Sequence, residues 1–192
     1  AKDMFGSEEA CLLGKFGGKV NMILWHENMA AITDSMGTCR FMHASFYAQY
    51  PIPELLAKHS GREDKPNSIK YHEWLSAATG MGFTYEDLLR VGERIISLER
   101  ALNTRFGIRR KDDTLPERFF TQPLPTGPYK GAVFPKKTFD SMIDQYYDLR
   151  GWDKESGLLV KEKLLELGMK DVASDLQKRG LLISRGREEK AS

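Results

Sequence analysis

Asp34 and Cys39 stand five residues apart in the run Asp34-Ser35-Met36-Gly37-Thr38-Cys39-Arg40-Phe41, with a glycine between them. A carboxylate can accept hydrogen bonds from an amino-bearing heterocycle, and a thiolate is a soft ligand for iron. A glycine at such a point lets backbone come close to a bulky ligand. The same residues also have an ordinary structural reading, in which a buried free cysteine lies beside a helix-capping aspartate. Spacing alone leaves both readings open.

Few other residues offer chemistry. The four histidines, His26, His43, His59 and His72, lack metal-ligand spacing, and His72 beside Glu73 reads as a surface pair on a helix. No Ser/His/Asp order, HExxH or phosphate loop is present. Tyr146 and Tyr147 read as core and rim of one helix. Arg105, Arg109, Arg110 and Lys111, followed at once by Asp112 and Asp113, read as a solvated helix end and loop.

The elements that must position these groups are helical. Val20 to Ile32 places Val20, Ile23, Leu24, Met29 and Ile32 roughly on one face. Glu54 to Lys58 reads as a short helix and Gly61 to Ser68 as a charged loop. Tyr71, Leu75 and Ala78 share a face of a helix that Gly80 and Gly82 end. Thr84 with Asp87 is a capping-box pattern. It opens the longest helix, whose apolar positions Leu88, Val91, Ile95, Leu98, Leu102 and Phe106 step by three and four until Gly107. Pro116, Pro123, Pro125 and Pro128, with Gly127 and Gly131, make residues 108–134 a long irregular connection, the kind that lies against another surface or carries function. Pro135 suits the start of a helix ending at Gly151. Two short helices are expected around Lys161 to Leu167 and Lys170 to Arg179, then a charged tail from Ser184. Nothing alternates in a way that builds a sheet. The fold class is all-α, multihelical with irregular packing, divided into a subdomain over 1–107 and a second region over 108–192.

The chain has 192 residues, 41% hydrophobic and 29% charged, with net charge +2. That is enough apolar material for a core. The interspersed charges mark no nucleic-acid or membrane partner. No apolar run approaches the ~18 residues of a membrane span. Two thiols give no disulfide framework, so a reducing, cytoplasmic setting is expected.

Several blocks in order resemble the tungsten-containing aldehyde ferredoxin oxidoreductases. Asp34, Gly37, Cys39, Arg40 and Phe41 match a D-x-x-G-(L/I)-C motif followed by a basic residue and Phe. Ala78-Thr79-Gly80, Gly92-Glu93-Arg94-Ile95 and Asn103-Thr104-Arg105-Phe106-Gly107 are similar to that family's next blocks. Asp112 to Arg118 resembles its DDxLPxR segment, and Tyr146 to Asp153 its YYxxRGWD block. The resemblance implies that Asp34 contacts one of two pterins holding tungsten, with Thr38 beside it where the family has Leu or Ile. It implies that Cys39 is the fourth ligand of a [4Fe–4S] cluster. It further implies aldehyde oxidation to carboxylic acid, with electrons leaving to ferredoxin. The family's other cluster cysteines and its sheet-containing N-terminal region are expected upstream of this sequence. The chain alone is therefore expected to bind no cofactor and to be inactive, and to have that N-terminal region as partner. The surface facing the region is expected near Ile32 to Phe46. A helical assembly domain that kept the fold without the chemistry is the alternative, and a metal module of Cys39 with histidines a third.

Overall fold

The computed structural model describes residues 2–12, 14–39 and 71–185. Among these the chain is mainly helical, in agreement with the all-α expectation: α1 (Lys2–Phe5), α2 (Lys19–Ser35), α3 (Tyr71–Thr79), α4 (Tyr85–Arg105), α5 (Arg118–Thr121), α6 (Lys136–Arg150), α7 (Lys161–Glu166) and α8 (Lys170–Lys178). Two 3-10 turns, Glu8–Cys11 and Arg110–Asp112, interleave with them. The readings at Glu54 to Lys58 and Gly61 to Ser68 lie outside the described residues. Two compact units divide the chain, Ala1–Ile96 and Ser97–Ser192, and the dividing point falls within α4.

In the first unit the N-terminal segment is tied to α2. The Lys19 ammonium donates to the carbonyls of Ala10 (2.8 Å) and Leu12 (2.9 Å), and the Asn21 amide to that of Phe5 (3.1 Å). Met29 and Ile32 from α2 close a core with Tyr71 of α3 and Leu88 of α4, against which Trp25, Leu75 and Phe83 pack. Each large apolar side chain so buried contributes roughly 1.5–3 kcal/mol. Helices α2 and α4 approach closely because position 92 has no side chain: a Cβ on Gly92 would lie 2.6 Å from the Asn28 carbonyl oxygen. The Gly92-Glu93-Arg94-Ile95 block is thus, at its glycine, a packing requirement. The capping box forms as expected. The Thr84 N–H donates to Asp87 Oδ2 at 2.9 Å, and the Asp87 N–H donates to Thr84 Oγ1 at 3.1 Å.

In the second unit α7 and α8 form a helical hairpin between two short strands. Strand β1 (Leu159–Val160) pairs in parallel with β2 (Leu182–Ile183), in register Leu159 to Leu182 and Val160 to Ile183. This pair is not legible in the sequence, because two residues per strand carry no alternation. Leu159, Leu164 and Leu176 are fully buried around it.

The apolar stripe expected along α4 holds only in its first half. Leu88 is buried, but Leu98, Leu102 and Phe106 are exposed, Phe106 at 84%. The buried face of the second half is Ser97, Arg100, Ala101 and Thr104. Small and polar positions face inward there because a buried arginine, rather than leucines, organises the unit.

Candidate functional site

Helix α2 ends in a Schellman turn that sets the geometry of the Asp34 to Cys39 motif. The Thr38 N–H reaches back to the Thr33 carbonyl (3.1 Å) and the Gly37 N–H to the Asp34 carbonyl (3.2 Å). Gly37 takes the left-handed conformation this closure requires, at φ 66°. A side chain at 37 would meet nothing within 4 Å among the described residues, so within the chain it is the backbone conformation that calls for glycine. The Thr38 hydroxyl also donates to the Thr33 carbonyl, at 3.1 Å. Thr38 is therefore held by the turn through both its N–H and its hydroxyl.

The ordinary structural reading of this motif is overturned. Cys39 is exposed, not buried. Asp34 caps no helix start: it lies in the last turn of α2, exposed, without a hydrogen-bond or ion-pair partner among the described residues. An acid near a helix C-terminus works against the macrodipole. Asp34 therefore sits at a local electrostatic cost that no contact among the described residues offsets. Arg40 and Phe41, the rest of the motif, lie outside the described residues.

A carboxylate without a partner among the described residues and an exposed thiol thus flank one turn. No group of three or more His, Cys, Asp or Glu that could hold a metal occurs among the described residues. His43 and His59 lie outside them. His72 is not the surface residue expected: it is half-buried, 6.5 Å from the Tyr85 ring, with its Nδ1 unpaired. The Tyr85 hydroxyl accepts from Trp25 Nε1 at 3.0 Å, and burial pushes its pKa up.

The later motif blocks converge on a structural clamp in the second unit. Arg100 is 5% exposed and uses three faces of its guanidinium. Nε donates to the Gly157 carbonyl (2.9 Å), Nη1 to Asp113 Oδ1 (2.9 Å) and Nη2 to the Tyr147 hydroxyl (3.1 Å), while Nη2 and Asp113 Oδ2 lie 2.8 Å apart. The Tyr147 hydroxyl in turn donates to Asp113 Oδ2. The guanidinium also lies 4.9 Å from the Trp152 ring centroid. Burial first, then the bond to Asp113, drives the Tyr147 pKa far above its ordinary value. Asp113, Tyr147 and Trp152 come from the two blocks read as family signatures, and they meet around a residue that the sequence reading passed over. The available signal was Ser97, Ala101 and Thr104 lining one α4 face with Arg100 among them. Of the basic cluster, Arg110 is not simply solvated: it pairs with Asp144 at 3.2 Å and lies over the Tyr147 ring. Arg109 closes the end of α4 by donating to the Thr104 and Ile108 carbonyls, each at 2.8 Å.

Residues 3–169 match the family model for aldehyde ferredoxin oxidoreductase, domains 2 & 3. The tungsten-containing aldehyde ferredoxin oxidoreductase of Pyrococcus furiosus is 38% identical over 152 residues, which cover 79% of this chain and 21% of that protein. The aliphatic sulfonate oxidoreductase, WOR-like subunit, of the same organism is 36% identical over 120 residues, covering 59% of this chain and 19% of its own. Among solved structures, the active site complex BamBC of benzoyl coenzyme A reductase with 1,5 dienoyl-CoA superposes with a TM-score of 0.58 at 27% identity, over 85% of this chain and 21% of that one. The class so defined is a helical domain of a large oxidoreductase. The chain belongs to the aldehyde ferredoxin oxidoreductase family, matches the C-terminal part of its members, and spans about a fifth of the length of the curated relatives it resembles.

Proposed function

We propose that this chain is the C-terminal helical part of a tungsten–pterin, iron–sulfur enzyme that oxidises aldehydes to carboxylic acids. The reaction adds water to the aldehyde carbon and releases two electrons and two protons, and the acceptor is ferredoxin in a cytoplasmic setting. In this reading residues 1–107 carry the cofactor edge and residues 108–192 complete the fold. One observation carries the assignment: the end of α2 presents a carboxylate without a partner among the described residues and an exposed thiol on either side of a glycine turn.

Each residue has a role that its chemistry allows. Asp34 accepts hydrogen bonds from the amino and ring N–H groups of a pterin, a charge-assisted pairing that would offset its unfavourable position on the helix. Thr38 has its N–H and hydroxyl committed to Thr33, so it offers its backbone carbonyl. Cys39 supplies the one thiolate that this part contributes to a [4Fe–4S] cluster. Tungsten, when bound, supplies the redox change at the aldehyde carbon.

The test compares Cys39→Ser with Cys11→Ser in the whole enzyme. Both cysteines are exposed, so neither change should unfold the chain. Loss of iron and of aldehyde-dependent dye reduction is expected for Cys39→Ser alone. Equal iron and activity in the two variants would refute the ligand role and favour an assembly domain that kept the fold without the chemistry.

A further inference from the structure

The connection between α5 and α6 is a formed object. The Leu124 N–H donates to the Ala132 carbonyl (3.0 Å) and the Gly131 N–H to that of Leu124 (2.9 Å), closing an inner rung; the Phe134 N–H donates to the Phe119 carbonyl (2.9 Å), closing an outer one. Behind the outer rung the rings of Phe120, Phe134 and Phe139 meet with centroids 5.4 to 6.4 Å apart, anchoring the base. Beyond that base every residue from 121 to 133 is exposed.

Its composition contradicts its exposure. In a chain with 29% charged residues, positions 119 to 135 carry a single charge, Lys130. Leu124 is 50% exposed, Phe119 46%, and Tyr129 and Val133 42% each. A loop that served only to connect would be polar and tolerant of motion. This one has its conformation fixed by prolines and backbone rungs and turns apolar groups outward, the combination that lowers the entropic cost of binding.

We infer that residues 119–133 form a preformed docking loop that seats against the remaining region of the same enzyme. The inference rests on reading the chain as one part of a larger oxidoreductase. The relatives supply the occupant: about four-fifths of their length lies outside the match, whose share of the Pyrococcus furiosus protein is 21%. The near absence of charge selects an apolar, uncharged partner face and argues against an acidic electron carrier or a nucleic acid. Of the contact surface expected near Ile32 to Phe46, Ile32 itself is 1% exposed and packed in the core; Phe41, Met42 and Phe46 lie outside the described residues.

Hydroxyl-radical footprinting tests this without reference to activity. Side-chain oxidation at Phe119, Leu124 and Tyr129 is measured in the 192-residue chain and in the whole enzyme. A several-fold loss of labelling in the whole enzyme is expected, and Leu124→Asp should restore labelling of Tyr129 there while leaving the melting temperature of the 192-residue chain unchanged. Equal labelling in both proteins overturns the inference even if the enzyme oxidises aldehydes. Protection that rises with concentration in the 192-residue chain alone also overturns it, in favour of a second copy. A protected loop in a protein without iron or tungsten leaves the docking intact and removes the proposed chemistry.

Discussion

Arg100 shows how much one side chain can hold. Its guanidinium reaches an α4 neighbour loop at Asp113, the α6 tyrosine and the Gly157 carbonyl, and the site is so close that a Cβ on Gly157 would lie 2.4 Å from Nη2. Lysine cannot replace this planar fork, because it offers one point charge where separate directions are needed. Arg100→Ala leaves Asp113 and Tyr147 without their donor, and breaking a buried pair of this kind costs about 3–5 kcal/mol. Chemical denaturation of the 192-residue chain checks it, with Arg100→Lys expected to recover little of the loss. Stability within experimental error of the parent for Arg100→Ala would show the clamp to be incidental.

At the scale of elements, the sequence disclosed what local rules govern and hid what tertiary packing decides. Thr84 and Asp87 marked the start of α4 because a capping box is written in neighbouring residues, and Gly107 and Gly151 marked helix ends for the same reason. The inward face of α4 beyond Ile96 could not be read from apolar spacing. Leu98 and Leu102 keep the period and lie outside, while Ser97, Arg100 and Thr104 lie inside. Strands of two residues have no period to read. For the candidate site, the types and spacing of Asp34 and Cys39 left two readings open, and only the family resemblance favoured the cofactor one. Their exposure was not, because it depends on the turn that carries them and on what packs beside it.

The α4 cap also makes a pH prediction. The Thr84 N–H, then its hydroxyl, hold the Asp87 carboxyl below the ordinary carboxylate range. A group depressed in the folded state contributes stability above its unfolded pKa and loses that contribution as the pH falls through its folded value. Asp87→Asn should therefore destabilise the chain at neutral pH, with the difference from the parent closing in acid below the ordinary carboxylate pKa. Thermal melts followed by circular dichroism over that range are the measurement. Thr84→Ala should cost about 1 kcal/mol as loss of an N-cap. A gap between Asp87→Asn and parent that stays constant into strong acid would exclude the ionised cap.

For the molecule as a whole, the chain's share of its family's chemistry is a matter of counting ligands. One exposed cysteine at the end of α2 cannot by itself hold a cluster that takes about four. The 192-residue chain purified alone is expected to contain no stoichiometric iron, tungsten or pterin. Elemental analysis returning about four irons per chain would contradict this ligand count. Relatives named for aldehyde, sulfonate and benzoyl coenzyme A chemistry all match stretches of this helical part.

The parallel pairing of β1 with β2 bears on where this protein can be cut. The family match stops at residue 169, one residue before α8 begins, yet α8 buries Leu176 completely and leads directly into the strand that pairs with Leu159 and Val160. Recombinant pieces trimmed to the matched boundary would lose both the hairpin's second helix and the strand that latches it, leaving Leu159 and Leu164 uncovered. Such a piece, ending at Met169, should aggregate or melt well below one ending at Arg185, whose N–H still reaches Glu162 at 3.2 Å. Comparing the two by light scattering and thermal melts decides it, and equal stability would mean the latch is dispensable.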